Sequence, residues 1–302
     1  MDFLLDDDLD IDLDSLASPN AEPETVDSPP AAPARGDPAS HQSAPEGMAW
    51  FEAASAFGAV RLCVQADGAA RHAAAAAVAL HQAGPLLDAL DDWTTLDLDW
   101  RWTAAPEAVD AGSHVVVQWP AAGTAPVVAL LALPWALVRH MPPPTGTLAA
   151  DVRWEAAPAT VVVARLALGA DELAALEPGG AVVLPDSMRP DWRGLLRALD
   201  EPLDAGAPLA LAPPHAPKVV PRDHVTAVLP PDGAAVTCEV RLDGTPTLAI
   251  ARLAGWQFGD LGDLGAGASL WRCDNVPRRC ARGTLMPWGD GWALALDAVQ
   301  SA

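Results

Sequence analysis

Several residue types that many enzymes and nucleic-acid-binding proteins rely on are scarce in this 302-residue chain. Tyrosine is absent, Lys218 is the only lysine beside 17 arginines, and asparagine occurs only at Asn20 and Asn275. The formal net charge of −22 disfavours nucleic acid as a partner, because phosphate backbones attract Lys and Arg. The chain has no motif of a P-loop, a nucleophile elbow or a zinc protease. We therefore predict that it is not an enzyme and binds no cofactor.

Closely spaced metal ligands are also lacking. The four cysteines form no C-x-x-C pair, and the seven histidines form no H-x-x-x-H pair. Cys273 and Cys280 are seven positions apart with no histidine between them, whereas structural zinc sites use closely spaced pairs. We expect no metal site, and we expect the cysteines to be reduced thiols on buried strands.

No long hydrophobic run is present. The longest, VVALLALPWALV (residues 127–138), is shorter than a bilayer-spanning helix and contains Pro134. The acidic N-terminus lacks the basic segment that precedes the apolar core of a secretory signal. We therefore predict a cytoplasmic protein without a membrane-spanning helix.

Half of the net charge lies in the first sixth of the chain. Residues 1–48 contain 12 acids and one base, and residues 17–48 contain seven prolines, which favours a disordered tail. The opening MDFLLDDDLDIDLDSL mixes apolar and acidic residues. This is typical either of a solvated acidic tail or of a tethered motif that folds onto a partner. In the second interpretation the contacts would come from Phe3, Leu4, Leu5, Leu9, Ile11 and Leu13.

Residues 49–150 are predicted to form an α+β domain. Their alternation and valine content indicate strands in FGAVRLCV, LDLDWRW and SHVVVQWP. A helical segment broken at Gly84-Pro85 is indicated by AARHAAAAAVALHQAGPLLDALDDW. The run APVVALLAL fits a buried strand or a short helix.

Residues 151–224 and 225–302 are predicted to form two small, mainly β units. The first contains the strand ATVVVARLAL, a short helix at 171–176 capped by Asp171, and a second short helix in RPDWRGLLRALDEPL. The second contains a hairpin across Asp243-Gly244 and a last hairpin across the turn WGDG. The stretches that begin LALGADEL and VRLDGTPTL indicate a weak internal repeat.

Leucine, glycine and tryptophan positions in these two units match a known pattern. In the first unit they are a strand at 161–168, Gly169, Leu173, Leu176, Gly179, Gly180 and a strand at 182–184. In the second they are Ala281, Gly283, Leu285, a turn at 288–291 and a strand at 292–297. Together with LLDALDDWTTLDLDW, they make residues 80–299 similar to the type III secretion cytoplasmic-ring family, called SctQ, YscQ or HrcQ. That family is related to the flagellar proteins FliM and FliN.

The resemblance implies a fold and a function. The family carries two small β domains, named SpoA, behind a less regular N-terminal domain, and SpoA domains pair by sharing strands. The implied function is a non-enzymatic scaffold in the cytoplasmic ring, or sorting platform, of a bacterial type III secretion system. The implied location is the cytoplasmic face of the inner membrane, reached through the secretion apparatus.

The resemblance also implies partners and contact residues. The partners are other copies of the chain, the secretion ATPase with its stalk protein (SctL), a ring adaptor (SctK) with the inner-membrane ring, and export substrates with their chaperones. Apolar strand residues would be buried between units, and tryptophans are enriched at interfaces. The expected contact residues are Leu166, Leu168, Leu173, Leu176, Val182, Leu184, Trp271, Trp288 and Trp292.

Two other functions remain as alternatives. A flagellar switch or export-ring protein would be favoured by a basic docking peptide, but the N-terminal segment here is acidic. An enzyme of unrecognised fold would need convergent polar side chains. The middle domain of FliM is similar to CheC-type phosphatases, which use an E-x-x-N motif, but residues 49–150 contain no asparagine.

Overall fold

The computed structural model describes residues 48–65, 73–103, 113–120, 128–199, 201–203, 205–211, 217–222, 235–274 and 276–300. All of them belong to one compact unit. The predicted disordered tail, apart from Met48, lies outside the described residues, and so does its proposed partner motif.

The first part of the chain forms an antiparallel sheet of six strands in the order β3–β1–β2–β5–β4–β6. The strands are β1 (Met48–Ser55), β2 (Gly58–Gln65), β3 (Arg101–Thr103), β4 (His114–Trp119), β5 (Ala129–Pro134) and β6 (Arg153–Trp154). Four helices contribute buried residues to the same core. They are α1 (Ala73–Gln82), α2 (Gly84–Thr94), α3 (Trp135–His140) and α4 (Thr147–Ala150).

The predicted helical segment and its break are confirmed from residue 73 onward, and the first four residues of the segment lie outside the described ranges. Helix α2 begins at Gly84 with Pro85 in its first turn, where the missing proline N–H costs no helical hydrogen bond. In the described ranges no single helix is long and apolar enough to cross a membrane. Helices α1 and α2 pass that test only as a pair, and they are bent by 64°.

The run that fitted either a strand or a helix is strand β5. It lies between β2 and β4, and five of its six residues are buried. A central strand that is covered on both faces suits a continuous apolar run. The strand predicted in LDLDWRW is limited to its last residues, because β3 begins only at Arg101.

The rest of the chain forms an antiparallel sheet of 11 strands. Ten lie in the order β14–β11–β10–β9–β7–β12–β15–β16–β17–β8, and β13 pairs with β7. The strands are β7 (Ala157–Leu168), β8 (Ala181–Leu184), β9 (Arg193–Ala198), β10 (Ala207–Ala210), β11 (Lys218–Val219), β12 (Val236–Leu242), β13 (Thr247–Leu248), β14 (Gly259–Asp260), β15 (Gly267–Arg272), β16 (Arg278–Trp288) and β17 (Gly291–Val299). The short helices between them are α5 (Ala170–Ala174), α6 (Ile250–Leu253) and a 3₁₀ helix (Pro185–Met188).

The strand order of this second sheet is symmetric about the β7–β12 pair. Strands β9, β10 and β11 lie on one side, and β15, β16 and β17 lie on the other. The two outermost strands are exchanged. Strand β8 follows β7 and α5 in the chain but pairs with β17. Strand β14 follows β12 and α6 in the chain but pairs with β11. The two stretches of the predicted repeat therefore occupy corresponding positions in one shared sheet.

The helix predicted in RPDWRGLLRALDEPL is wrong, because its centre is strand β9. This strand lies between β7 and β10. It runs so close to β7 that a Cβ at Gly194 would collide with the carbonyl oxygen of Val162. Leucine and alanine favour a helix by propensity, but pairing and burial between two strands override that preference.

The hairpin predicted across Asp243-Gly244 is also wrong. The chain turns there, and Gly244 has a φ of +92°. Strand β13 then pairs with β7 instead of β12. Both edges of β12 are already occupied, by β7 and β15, so β12 has no edge left for a hairpin partner.

The predicted N-cap of the short helix α5 is displaced. Gly169, not Asp171, is the N-cap residue. The backbone N–H of Gly169 donates to Oε2 of Glu172 at 2.7 Å. Both acids lie in the first turn, where the exposed N–H groups favour negative charge.

The last hairpin is confirmed, with β16 and β17 joined by Gly289 and Asp290. Gly289 has a φ of +58°, a conformation that glycine adopts without strain. With its two antiparallel sheets the chain is mainly β in its described residues, which confirms the coarse part of the predicted fold class.

Candidate interaction surface and buried charge cluster

Three thiols lie in environments that suppress their reactivity. Burial raises the pKa of Cys63 and of Cys238 to about 12, and burial also raises the pKa of Cys273. These groups stay protonated at neutral pH and contribute as small apolar residues. Within the described ranges no group of three or more His, Cys, Asp and Glu side chains could hold a metal ion.

A cluster of charged side chains lies at the centre of the second sheet. Glu239 on β12 is fully buried. Arg197 on β9 binds it with two bonds, Nη1 to Oε1 at 2.9 Å and Nη2 to Oε2 at 2.7 Å. Arg165 on β7 donates to Oε1 at 3.1 Å, and Arg241 on β12 donates to Oε2 at 2.9 Å. The carbonyl of Leu203 accepts from both Arg165 and Arg197, so the cluster connects three strands and a loop.

The arginines keep Glu239 ionised inside the sheet. Burial is the largest single influence and raises the pKa of Glu239. The hydrogen bond and charge of Arg197, with the charges of Arg241 and Arg165, outweigh it, so that this pKa lies below its ordinary value. The Arg197 side chain is only 2% exposed, which means that two full charges are buried together. Such a pair is stable only while both partners are present.

One arginine of the cluster packs against an aromatic ring. The guanidinium of Arg241 lies over the ring of Trp271, 4.8 Å from its centroid. A cation over an indole face is attracted by the ring quadrupole. Trp271, which is half-buried, therefore helps to hold the Arg241 guanidinium in place.

A second buried ion pair joins the two sheets. Arg139 on α3, which follows β5 of the first sheet, binds Glu201 in the loop after β9 of the second. Nε lies 2.8 Å from Oε1, and Nη2 lies 2.6 Å from Oε2. Oε2 of Glu201 also accepts from the N–H of Ala198 at 2.6 Å. A two-bond arginine–carboxylate pair fixes orientation as well as contact, so this pair sets how the first sheet docks on the second.

Three tryptophans pack at the same junction. Trp93 on α2, Trp154 on β6 and Trp256 after α6 make three edge-to-face contacts with centroids 5.4 to 6.1 Å apart. The indole N–H of Trp256 donates to the carbonyl of Met141 at 3.0 Å. Edge-to-face aromatic packing is a favoured arrangement in cores, and here it holds α2 against the α6 region.

The outer strand β8 and the nearby tip of the β16–β17 hairpin expose apolar side chains. Val183, Met188 and Trp288 are 37%, 49% and 47% exposed. Strand β8 pairs with β17, and no described strand lies against its other edge. The hydroxyl of Ser187 fixes this region, because it accepts the N–H of Trp292 at 2.7 Å. We call the free edge of β8 with Val183, Met188 and Trp288 the β8 edge surface.

The predicted contact residues fall into three groups in the structure. Core positions are taken by Val182, Leu184 and Trp292. Half-buried positions are taken by Leu166, Leu168, Leu173, Leu176 and Trp271. Trp288 is exposed. The β8–β17 pairing sets Leu184 opposite Trp292 and Val182 opposite Leu294. The tail residues lie outside the described part of the chain: Phe3, Leu4, Leu5, Leu9, Ile11 and Leu13.

The sequence reasoning missed the charge cluster. Arg197 lies in the segment predicted as a short helix, and Glu239 lies in the segment VTCEVRL, which offers no sign of its partner. The only available signal was a lone carboxylate in the apolar strand VTCEVRL. An isolated acid between buried positions requires a cationic partner, but the sequence does not show which arginine supplies it.

No protein-family model matches the chain, and no curated protein is similar enough to it to count as a match.

Proposed function

We propose that this protein is a structural scaffold subunit, without catalytic activity, in the cytoplasmic ring of a bacterial type III secretion system. The observation that carries the proposal is the symmetric second sheet, in which two successive stretches of one chain exchange strands β8 and β14. SpoA domains of the resembled family pair by sharing strands. In this proposal residues 151–224 and 225–302 are two SpoA-like units, and residues 49–150 are the α+β domain.

The β8 edge surface is the proposed contact between copies of the protein. An open edge strand presents backbone donors and acceptors to another chain, and exposed tryptophan is enriched in interface hot spots. The other end of the sheet is formed by β14, which is only two residues long. Association through the β8 end therefore offers more backbone and more apolar area.

The other partners in this proposal are the secretion ATPase and its stalk protein, the ring adaptor below the inner membrane, and export substrates with their chaperones. Residues 3–16 would be a tethered docking motif. The net charge of −22 favours basic surfaces on these partners and gives their association a strong dependence on salt.

A double variant of the β8 edge surface tests self-association. Val183→Lys with Trp288→Ser removes exposed apolar area without opening the core, since both side chains are substantially exposed. We expect the dissociation constant of self-association, measured by sedimentation equilibrium, to rise by at least about tenfold. The melting temperature should change by no more than a few degrees.

The matched control is Val276→Lys. Val276 is 61% exposed and lies just before β16, at the opposite end of that strand from Trp288. It should leave the dissociation constant unchanged. A wild-type protein that stays monomeric at every concentration, or a double variant that associates like wild type, would contradict assembly through this surface.

Affinity purification of the full chain from the organism that encodes it tests the secretion role. We expect the secretion ATPase and its stalk protein to be recovered at stoichiometric levels. Recovery of flagellar motor proteins instead would favour the flagellar alternative. Recovery of neither set would contradict both ring functions.

A further inference from the structure

The β7–β12 pair is the seam between two halves of the second sheet. The first half, residues 157–219, contains β7 to β11, and the second half, residues 236–299, contains β12 to β17. Because the strand order is the same on both sides of this seam, the backbone alone would allow either half to pair with a copy of itself. Something other than strand geometry must favour the mixed pair.

The charge cluster is divided unequally across the seam. The buried carboxylate of Glu239 comes from the second half, whereas Arg165 and Arg197 come from the first. Strands β7 to β11 contain no aspartate or glutamate. Glu201, a buried acid of the first half, is already bound by Arg139 and the N–H of Ala198. The arginines of the first half therefore depend on a carboxylate from the other side of the seam.

We propose that Glu239, Arg197 and Arg165 make the two halves selective for each other. Two first halves in this arrangement would bury two copies of Arg197 with no strand carboxylate to accept their hydrogen bonds. Two second halves would bury two copies of Glu239, each left with only Arg241 of its own strand. Buried charge without a partner is far more costly than a satisfied pair, so each self-pair is disfavoured.

This inference depends on the sheet and not on membership in the ring family. It concerns which halves can share a sheet, within one chain or between two copies. The proposed secretion role could fail while this selectivity holds, and the reverse is also possible. The experiment below needs no secretion component, so the two failures are distinguishable.

The test uses the full chain with a specific protease site inserted within residues 223–234, between the two halves. The folded protein is cut, unfolded in urea, refolded, and examined by native mass spectrometry. We expect the wild type to return almost entirely as the mixed pair. Glu239→Gln, which removes the charge but keeps the shape, should lower the mixed pair and raise the self-pair of second halves by at least about tenfold.

A fall in the mixed pair together with a rise in the self-pair of second halves indicates a loss of selectivity. A simple loss of stability would lower the mixed pair without raising the self-pair. Asp297→Asn, an exposed substitution on β17, should leave the distribution unchanged. The proposal fails if Glu239→Gln lowers the mixed pair without raising the self-pair. It also fails if wild-type second halves pair with each other as readily as with first halves.

A double-mutant cycle in the intact chain covers the case in which the cut protein does not refold. Arg197→Met, Glu239→Gln and the double variant are compared by urea unfolding. We expect Arg197→Met to raise the unfolding equilibrium constant at least about tenfold more in the wild-type background than in the Glu239→Gln background. Additive effects would overturn the assignment of Glu239 and Arg197 as one unit.

Discussion

At the residue scale, the buried carboxylate of Glu239 is bound by three arginines. Glu239 lies in a strand whose neighbours on both sides, Cys238 and Val240, are fully buried. It is tolerated there because Arg197 reaches it from two strands away, across β7. Its energetic role depends on ionisation, since a protonated carboxyl would leave the arginines with a weaker acceptor. Stability should therefore respond to pH through this residue.

The pH dependence follows from the direction of the pKa shift. The pKa of Glu239 is lower in the folded protein than its ordinary value of 4.5, so folding favours the charged form. The stabilisation is fully present above pH 4.5 and is lost as the pH falls through the lower folded pKa. We expect the stability difference between wild type and Glu239→Gln, measured by urea unfolding, to be largest at neutral pH and to shrink below pH 4.5.

The control for this titration is Glu177→Gln, at an exposed position between α5 and β8. Its effect on stability should be small, because the side chain is exposed. A Glu239→Gln difference that is constant from pH 7 to pH 3 would mean that the charge of Glu239 does not contribute.

At the element scale, the close approach of a neighbouring strand restricts which residues a strand can contain. Strand β16 carries Gly283 between the buried residues Ala281 and Leu285. The β16–β17 register shifts at this point, and a Cβ on Gly283 would collide with the carbonyl oxygen of Ala295. The glycine is required because the β17 backbone occupies the space of a side chain.

Gly283→Ala should therefore be strongly destabilising. The new methyl group must push β17 away and break ladder hydrogen bonds, which we expect to cost about 3 kcal/mol or more. Thermal unfolding of the full chain measures this loss. Thr284→Ala, at the next and exposed position, is the control and should change stability by less than about 1 kcal/mol. Equal effects of the two substitutions would contradict the close approach.

At the scale of the whole molecule, the described residues form one compact unit that carries its own core. The Arg139–Glu201 pair and the three-tryptophan junction connect its two sheets. Residues 1–16 contribute seven of the 40 acids in the chain, and we predict that a segment of such high charge contributes little to the stability of the fold.

Deletion of residues 1–16 should leave the melting temperature unchanged within a few degrees and weaken one partner contact. A triple variant, Phe3→Ser with Leu4→Ser and Leu5→Ser, keeps every charge and removes apolar contacts. Loss of the contact in both proteins, measured by pull-down of the ring partners, supports a docking motif. Loss in neither supports a solvated acidic tail, and a large drop in melting temperature on deletion would contradict both.

The sequence by itself determined the features that depend on local chemistry. Valine-rich alternation specified strands such as β4 and β7, Gly84-Pro85 specified the break between α1 and α2, and Gly289-Asp290 specified the last turn. In each case the preference comes from the backbone and from side-chain periodicity within a few residues. Those signals need no knowledge of the rest of the chain.

Only the tertiary structure decided the features that depend on distant partners. The segment that becomes β9 has helical propensity, and it is a strand because β7 and β10 supply its hydrogen bonds. The pairing of β8 with β17, the pairing of β14 with β11 and the contact of Glu239 with Arg197 join residues 40 or more positions apart. No local pattern encodes such pairings, since they result from which edges and charges remain unsatisfied when the whole sheet forms.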